Sequence, residues 1–79
     1  MRFDFRNSFP EKVSIIGAAR SGLAAAAFFS QKGTKVFISD TCEENKLQSI
    51  LTDQLHDKVE YEAGGHTERI LDSQLIVLS

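Results

Sequence analysis

The chain has one cysteine, Cys42, in 79 residues. A lone cysteine excludes an internal disulfide and fits a reducing compartment. Long hydrophobic runs are also missing. The longest, Leu23 to Phe29, falls well short of the ~20 apolar residues that a membrane-spanning helix needs. Positive charge is not in excess, since nine Lys and Arg stand against eleven Asp and Glu, for a net charge of −2. That balance argues against nucleic acid as a partner, because nucleic-acid binders carry a basic patch. The opening stretch MRFDFRNSFPEK is interrupted by Arg2, Asp4 and Arg6, and no apolar segment of the kind a secretory signal needs follows it. Repeats and low-complexity segments are absent. These absences predict a cytoplasmic protein that engages neither membrane nor nucleic acid.

Apolar content of 42% and charged content of 25% are ordinary for a globular fold. A chain this short buries only roughly 60–65% of its unfolded surface, enough for one small core. Residues 1–79 therefore read as a single domain. The chain closes on the apolar run QLIVLS. Domains usually end in polar, frayed segments, so the expectation is the front piece of a longer protein.

Met1 to Lys12 reads as an arm whose Phe3, Phe5 and Phe9 tuck against the first strand or helix. Val13 to Ile16 is a short apolar run bounded by glycine, as expected of a strand. Residues 17–20 form a turn, and Ser21 to Lys32 read as a helix stopped by Gly33. The small side chains Ala24 to Ala27 would let that helix sit close to a sheet. Lys35 to Ser39 reads as a buried parallel strand. Thr41 and Glu44 match a capping box for a second helix, with Leu47, Ile50, Leu51 and Leu55 as its apolar stripe. Val59 to Glu62 is a polar strand suited to a sheet edge. Ala63 to His66 is a turn, Thr67 to Leu71 a short helix at best, and Leu75 to Leu78 a fourth strand. This alternation predicts an α/β fold, a three-layer Rossmann-like parallel sheet of order 3-2-1-4 with helices on both faces. Its ligand site would lie at the switch point, beyond the carboxyl ends of the strands.

The turn Gly17-Ala18-Ala19-Arg20-Ser21-Gly22 carries the chemistry. A strand entering a helix this way aims free backbone N–H groups and the positive helix end at one spot, where phosphate binds. Gly17 permits the tight turn, and Gly22 permits close approach of helix and strand. Ala19 occupies the position where a dinucleotide fingerprint has its middle glycine. The spacing of Gly17 and Gly22 is also that of a P-loop, but Leu23 and Ala24 follow instead of Lys and Ser/Thr, which excludes an ATP site of that kind. Asp40, at the end of the second strand, stands near where NAD enzymes keep the acid for the ribose hydroxyls. The same carboxylate could instead accept from a base N–H such as that of uracil. The residues themselves leave a nucleotide and a nucleotide-sugar site both open.

Taken together, IIGAARSGLAAA, ISD with Thr41, Gly64-Gly65-His66 and the closing LIVLS resemble the N-terminal domain of the Mur ligases, in the branch that joins D-glutamate to UDP-N-acetylmuramoyl-L-alanine. The resemblance runs from Lys12 onward. It implies a Rossmann-like domain that holds the UDP part of the substrate, with a fifth strand of the family's sheet missing here. By this resemblance Arg20 and Ser21 meet the diphosphate through backbone N–H groups, and Asp40 and Thr41 meet the uracil. Ser79 begins a Ser-Pro-Gly turn bordering the UDP. Ala19 replaces a glycine common in the family's turn, and Cys42 stands where some members carry an arginine near the uracil. The resemblance further implies that the whole enzyme uses ATP and Mg²⁺ to form an acyl phosphate that D-glutamate attacks, with the ATP-binding and amino-acid-binding domains elsewhere. This part alone would have no turnover, no cofactor of its own and no metal site, and a monomer is the expected state.

Blander readings stand beside these. Any parallel α/β domain needs glycines at its first crossover. Asp40, Thr41 and Ser21 could serve only as helix caps, and Arg20 could be only a solvated side chain. Cys42 near a helix start could have a lowered pKa, but no catalytic base stands near it in sequence. His56, Cys42 and His66 lack zinc-ligand spacing, and His66 reads as a turn residue that positions its loop. Glu43, Glu44, Glu60 and Glu62 read as solvated faces. An NAD(H)-binding Rossmann domain is the alternative function. A ligand-free interface module, self-associating through the rim beside the fourth strand, is a third.

Overall fold

The computed structural model describes residues 9–55 and 58–79. The readings of Phe3, Phe5 and His56 lie outside the described residues. Four strands, β1 (Lys12–Ile16), β2 (Lys35–Ser39), β3 (Glu60–Glu62) and β4 (Leu75–Leu78), form a parallel sheet of order β3-β2-β1-β4. Helix α1 (Arg20–Gln31) joins β1 to β2, and α2 (Glu44–Gln54) lies between β2 and β3. A 3₁₀ turn, Glu68–Asp72, precedes β4. The strand order and the fold class are those the alternating pattern predicts.

Strand period assigns the faces. Val13 and Ile15 of β1 and Val36 and Ile38 of β2 point to one side. There Ala26 and Phe29 of α1 and Leu47 and Leu51 of α2 join them in one buried cluster. Both α-helices therefore cover the same face. Two right-handed crossovers stepping the same way across the sheet require this, and the reversal from β3 to β4 places the next connection opposite. On that opposite face the 3₁₀ turn supplies the third layer. Ser14 Oγ donates to the Ile70 carbonyl at 2.8 Å. The Arg69 guanidinium lies 4.6 Å from the ring centre of Phe37. The cover stops short of β4, where Ile76 and Leu78 remain exposed.

Of the alanine run in α1, only Ala26 is fully buried, while Ala24 faces solvent. The buried residues of the helix are Gly22, Ala26 and Phe29, a spacing of four and three that traces one helical stripe. Phe28 turns outward and packs edge-on against Phe9, with ring centres 5.9 Å apart, so Phe9 does tuck against α1. The helix ends as its glycine predicts. Gly33 has φ +84°, its N–H donates to Ser30 O, and Thr34 N–H donates to Phe29 O. These two bonds are a Schellman closure.

The second helix starts later than the capping box implies. Its N-cap is Glu43, with no side-chain capping bond, not Thr41. The physical reason is a local competition. The Asp40 carboxylate accepts from the Cys42 N–H at 2.8 Å, which holds residues 40–42 in a non-helical turn. Glu62 is a second departure from the sequence reading. It is 7% exposed, not part of a solvated face.

Candidate functional site

Gly17 follows β1 directly and has φ +99°, a conformation that L side chains rarely adopt. Its N–H donates to Ser39 O at 2.7 Å, which ties the start of the turn to the end of β2. Gly22 is buried one helical turn later. A Cβ there would lie 2.2 Å from the Gly17 carbonyl oxygen and 2.8 Å from Ser79 Oγ. Helix and strand are packed to backbone contact at this point, as the third glycine of a nucleotide-binding turn requires.

Helix α1 opens at Arg20 with Ala19 at the N-cap, which has no oxygen to cap with, and with no acidic residue in the first turn. The first intrahelical bond is Leu23 N–H to Ala19 O, 2.9 Å. The N–H groups ahead of it have no acceptor within the helix. Arg20 and Ser21 are exposed there, so the positive end of the helix faces solvent with no side-chain cap.

Asp40 braces this end from the side. One carboxylate oxygen accepts from Ala18 N–H at 2.7 Å and the other from Cys42 N–H at 2.8 Å. The Ala18 bond is the main reason the carboxyl lies below its usual pKa; burial opposes it, and the Cys42 bond reinforces it. Each oxygen still has a lone pair for a ligand. Thr41 is exposed beside it. Cys42 is half-buried against the core. Burial, followed by the neighbouring Asp40, pushes its thiol above the usual range, which makes it a poor nucleophile.

Ser79 closes the third side. Its hydroxyl proton is shared between Ile16 O at 2.9 Å and Gly17 O at 2.8 Å, and its N–H donates to Ile16 O. Gly17, Ala19, Arg20, Ser21, Gly22, Asp40, Thr41, Cys42 and Ser79 thus gather at the carboxyl ends of β1, β2 and β4. A separate cavity of about 370 Å³ lies between α2 and β3, lined by residues such as Leu51, Thr52 and Tyr61. It shares none of the site residues and is mainly apolar packing space.

Sequence reasoning missed the support behind Asp40. Glu62, opposite Ser39 in the β2–β3 register, accepts from Ser39 Oγ at 2.6 Å and from Thr67 N–H at 2.9 Å, and also from Thr67 Oγ1. Burial alone would raise its pKa, but the bonds from Ser39 and Thr67 and the nearby Arg69 charge outweigh that and hold it below the usual range. His66 Nδ1 lies 2.6 Å from the same Ser39 Oγ. The available signal was positional: a glutamate ending an edge strand beside a serine ending the next one. Among the described residues no group of three His, Cys, Asp or Glu side chains could hold a metal ion. No helix among them is long and apolar enough to cross a membrane.

Comparison with known proteins identifies the family. Residues 11–79 match the family described as Mur ligase MurD-like, N-terminal domain. A relative from Chlorobium phaeobacteroides, named UDP-N-acetylmuramoylalanine–D-glutamate ligase, is 39% identical over 69 residues, 87% of this chain and 14% of its own. Proteins of the same name from Chlorobium limicola and Elusimicrobium minutum are 40% and 39% identical over 87% of this chain. The chain spans about 14% of the length of these curated relatives.

Proposed function

Because the chain belongs to the MurD-like Mur ligases through their N-terminal domain, we propose that it holds the UDP end of UDP-N-acetylmuramoyl-L-alanine for addition of D-glutamate in peptidoglycan precursor synthesis. The observation that carries this reading is the uncapped start of α1, braced by Asp40 through Ala18 and by Ser79 through Gly17. An anion seated there meets backbone N–H groups and the positive helix end together.

In this reading the N–H groups at Ala19 to Gly22 receive the diphosphate. The free lone pairs of Asp40, with Thr41 beside it, receive the uracil. Ser79 and Gly17 form the floor. The chain's contribution is affinity and orientation, with the UDP handle fixed so that the distant L-alanine carboxyl is presented for reaction. ATP and Mg²⁺ would supply carboxyl activation in the whole enzyme. The residues here do not fit them, since Leu23 and Ala24 follow the turn where a triphosphate site needs an ammonium and a hydroxyl. This chain's residues perform no step of that chemistry.

Titration calorimetry tests the reading. UDP and UDP-N-acetylmuramoyl-L-alanine should bind saturably with similar affinity, and NADH should not bind. Binding of NADH without UDP would overturn the assignment in favour of a dinucleotide site.

A further inference from the structure

The hydrogen-bond chain Glu62–Ser39–His66 has only one consistent proton arrangement. Glu62 is buried and ionised, so its oxygens can only accept. Ser39 Oγ has a single proton, and at 2.6 Å from Glu62 Oε2 it must donate there. It then has only lone pairs to offer His66 Nδ1, also 2.6 Å away. Nδ1 must therefore carry the proton. In the neutral ring Nε2 is left as a bare acceptor. His66 is exposed, and no protein group among the described residues bonds its Nε2.

The position of this acceptor is fixed by the backbone. Gly65 N–H donates to Asp40 O at 3.3 Å, Gly64 N–H to Cys42 O at 2.8 Å, and Asp40 N–H to Glu62 O at 3.1 Å. The Gly64–His66 loop is thereby laced to the Asp40–Cys42 loop, and Ser39, which anchors the ring, directly precedes Asp40. A buried carboxylate acting through a hydroxyl thus fixes one ring nitrogen of the exposed His66, as outer-shell carboxylates orient metal-ligating imidazoles.

We propose that His66 is a ligand contact on the nucleoside side of the site, its Nε2 accepting from a neutral O–H or N–H donor of the nucleoside, with Ser39 and Glu62 as the residues that position it. The proposal rests on the UDP reading above for the ligand, while its proton arrangement stands independently of it.

Two measurements on the 79-residue chain test it. Nitrogen-15 ring spectra about two units above the usual imidazole pKa should show His66 protonated at Nδ1. Ser39→Ala, and independently Glu62→Gln, should shift the ring towards the Nε2–H form that free histidine prefers. An Nε2–H ring in the unaltered protein would overturn the relay. For the contact, His66→Asn places its amide where Nδ1 was and has nothing at Nε2. It should weaken UDP binding about 3- to 10-fold, the range of one hydrogen bond, and leave pyrophosphate binding unchanged. A parallel loss with 2′-deoxy-UDP assigns the donor to the base or the 3′ hydroxyl. No loss with 2′-deoxy-UDP assigns it to the 2′ hydroxyl, and either result supports the contact. Unchanged UDP affinity in His66→Asn, or an equal loss for pyrophosphate, would overturn the contact. Failure of the unaltered chain to bind UDP would overturn the functional reading and the contact with it, while the ring spectra would still decide the relay.

Discussion

A methyl group on Gly22 would lie 2.2 Å from the carbonyl oxygen of Gly17. The obstacle is backbone, so no side-chain rotation relieves it. Gly22→Ala must push α1 away from β1, and overpacking of this kind costs about 1–3 kcal/mol or more. Urea unfolding should show a midpoint lowered by that loss divided by the m-value, with UDP binding weakened as the turn opens. A midpoint within error of the unaltered protein would contradict the close packing.

Asp40 contributes to acid stability. Its folded pKa is depressed, so its contribution is present above the unfolded value of about 3.9 and is lost as pH falls through the folded value. Glu62 is depressed as well and acts in the same acid window. Stability should be flat from neutral pH to about 5 and should decline below about 4. Asp40→Asn leaves one of two N–H donors without a good acceptor and should cost about 1–2 kcal/mol at pH 7. It should also make the acid limb shallower. Stability measured by denaturant at pH 3, 5 and 7 checks both effects.

Stability and binding should part company at Ser21. The first turn of α1 has no acidic residue. Ser21→Asp would complement the helix end and stabilise the fold by about 0.3–1 kcal/mol. The same charge would repel a diphosphate. A higher Tm together with weaker pyrophosphate and UDP binding is the expected pair of results. A higher Tm with unchanged binding would place the anion elsewhere.

Leu47 anchors α2 to the shared face and is fully buried. Leu47→Ala removes that contact and leaves a cavity, for a loss of about 2–5 kcal/mol. In a domain this small such a loss is a large part of total stability, and a broadened or absent thermal transition is expected.

The sheet was legible because most of its strands carry dense β-branched and apolar runs, as Lys35–Ser39 and Leu75–Leu78 show. The glycine turn was legible because φ and close packing leave few substitutes at Gly17 and Gly22. The start of α2 was not. Thr41 and Glu44 have capping-box spacing, but the Asp40 carboxylate reaches Cys42 N–H first and delays the helix. Glu62 carried only a positional signal, a glutamate at the end of an edge strand. Its burial depends on Ser39 arriving from the adjacent strand and Thr67 from the next turn, and pairings between segments leave no local trace. The same holds for His66, whose role in positioning its loop is readable from its glycine neighbours but whose bond to Ser39 is not.

In the proposed function the uncapped start of α1 and the Asp40 loop together receive a uridine diphosphate. The most direct measurement is an amide chemical-shift titration of the chain with UDP-N-acetylmuramoyl-L-alanine, UDP and NADH in parallel. Saturable shifts at Ala19 to Gly22 and at Asp40 to Cys42 with both uridine ligands, and none with NADH, are the predicted result. Shifts with NADH alone, or uridine-induced shifts confined to the cavity between α2 and β3, would contradict it.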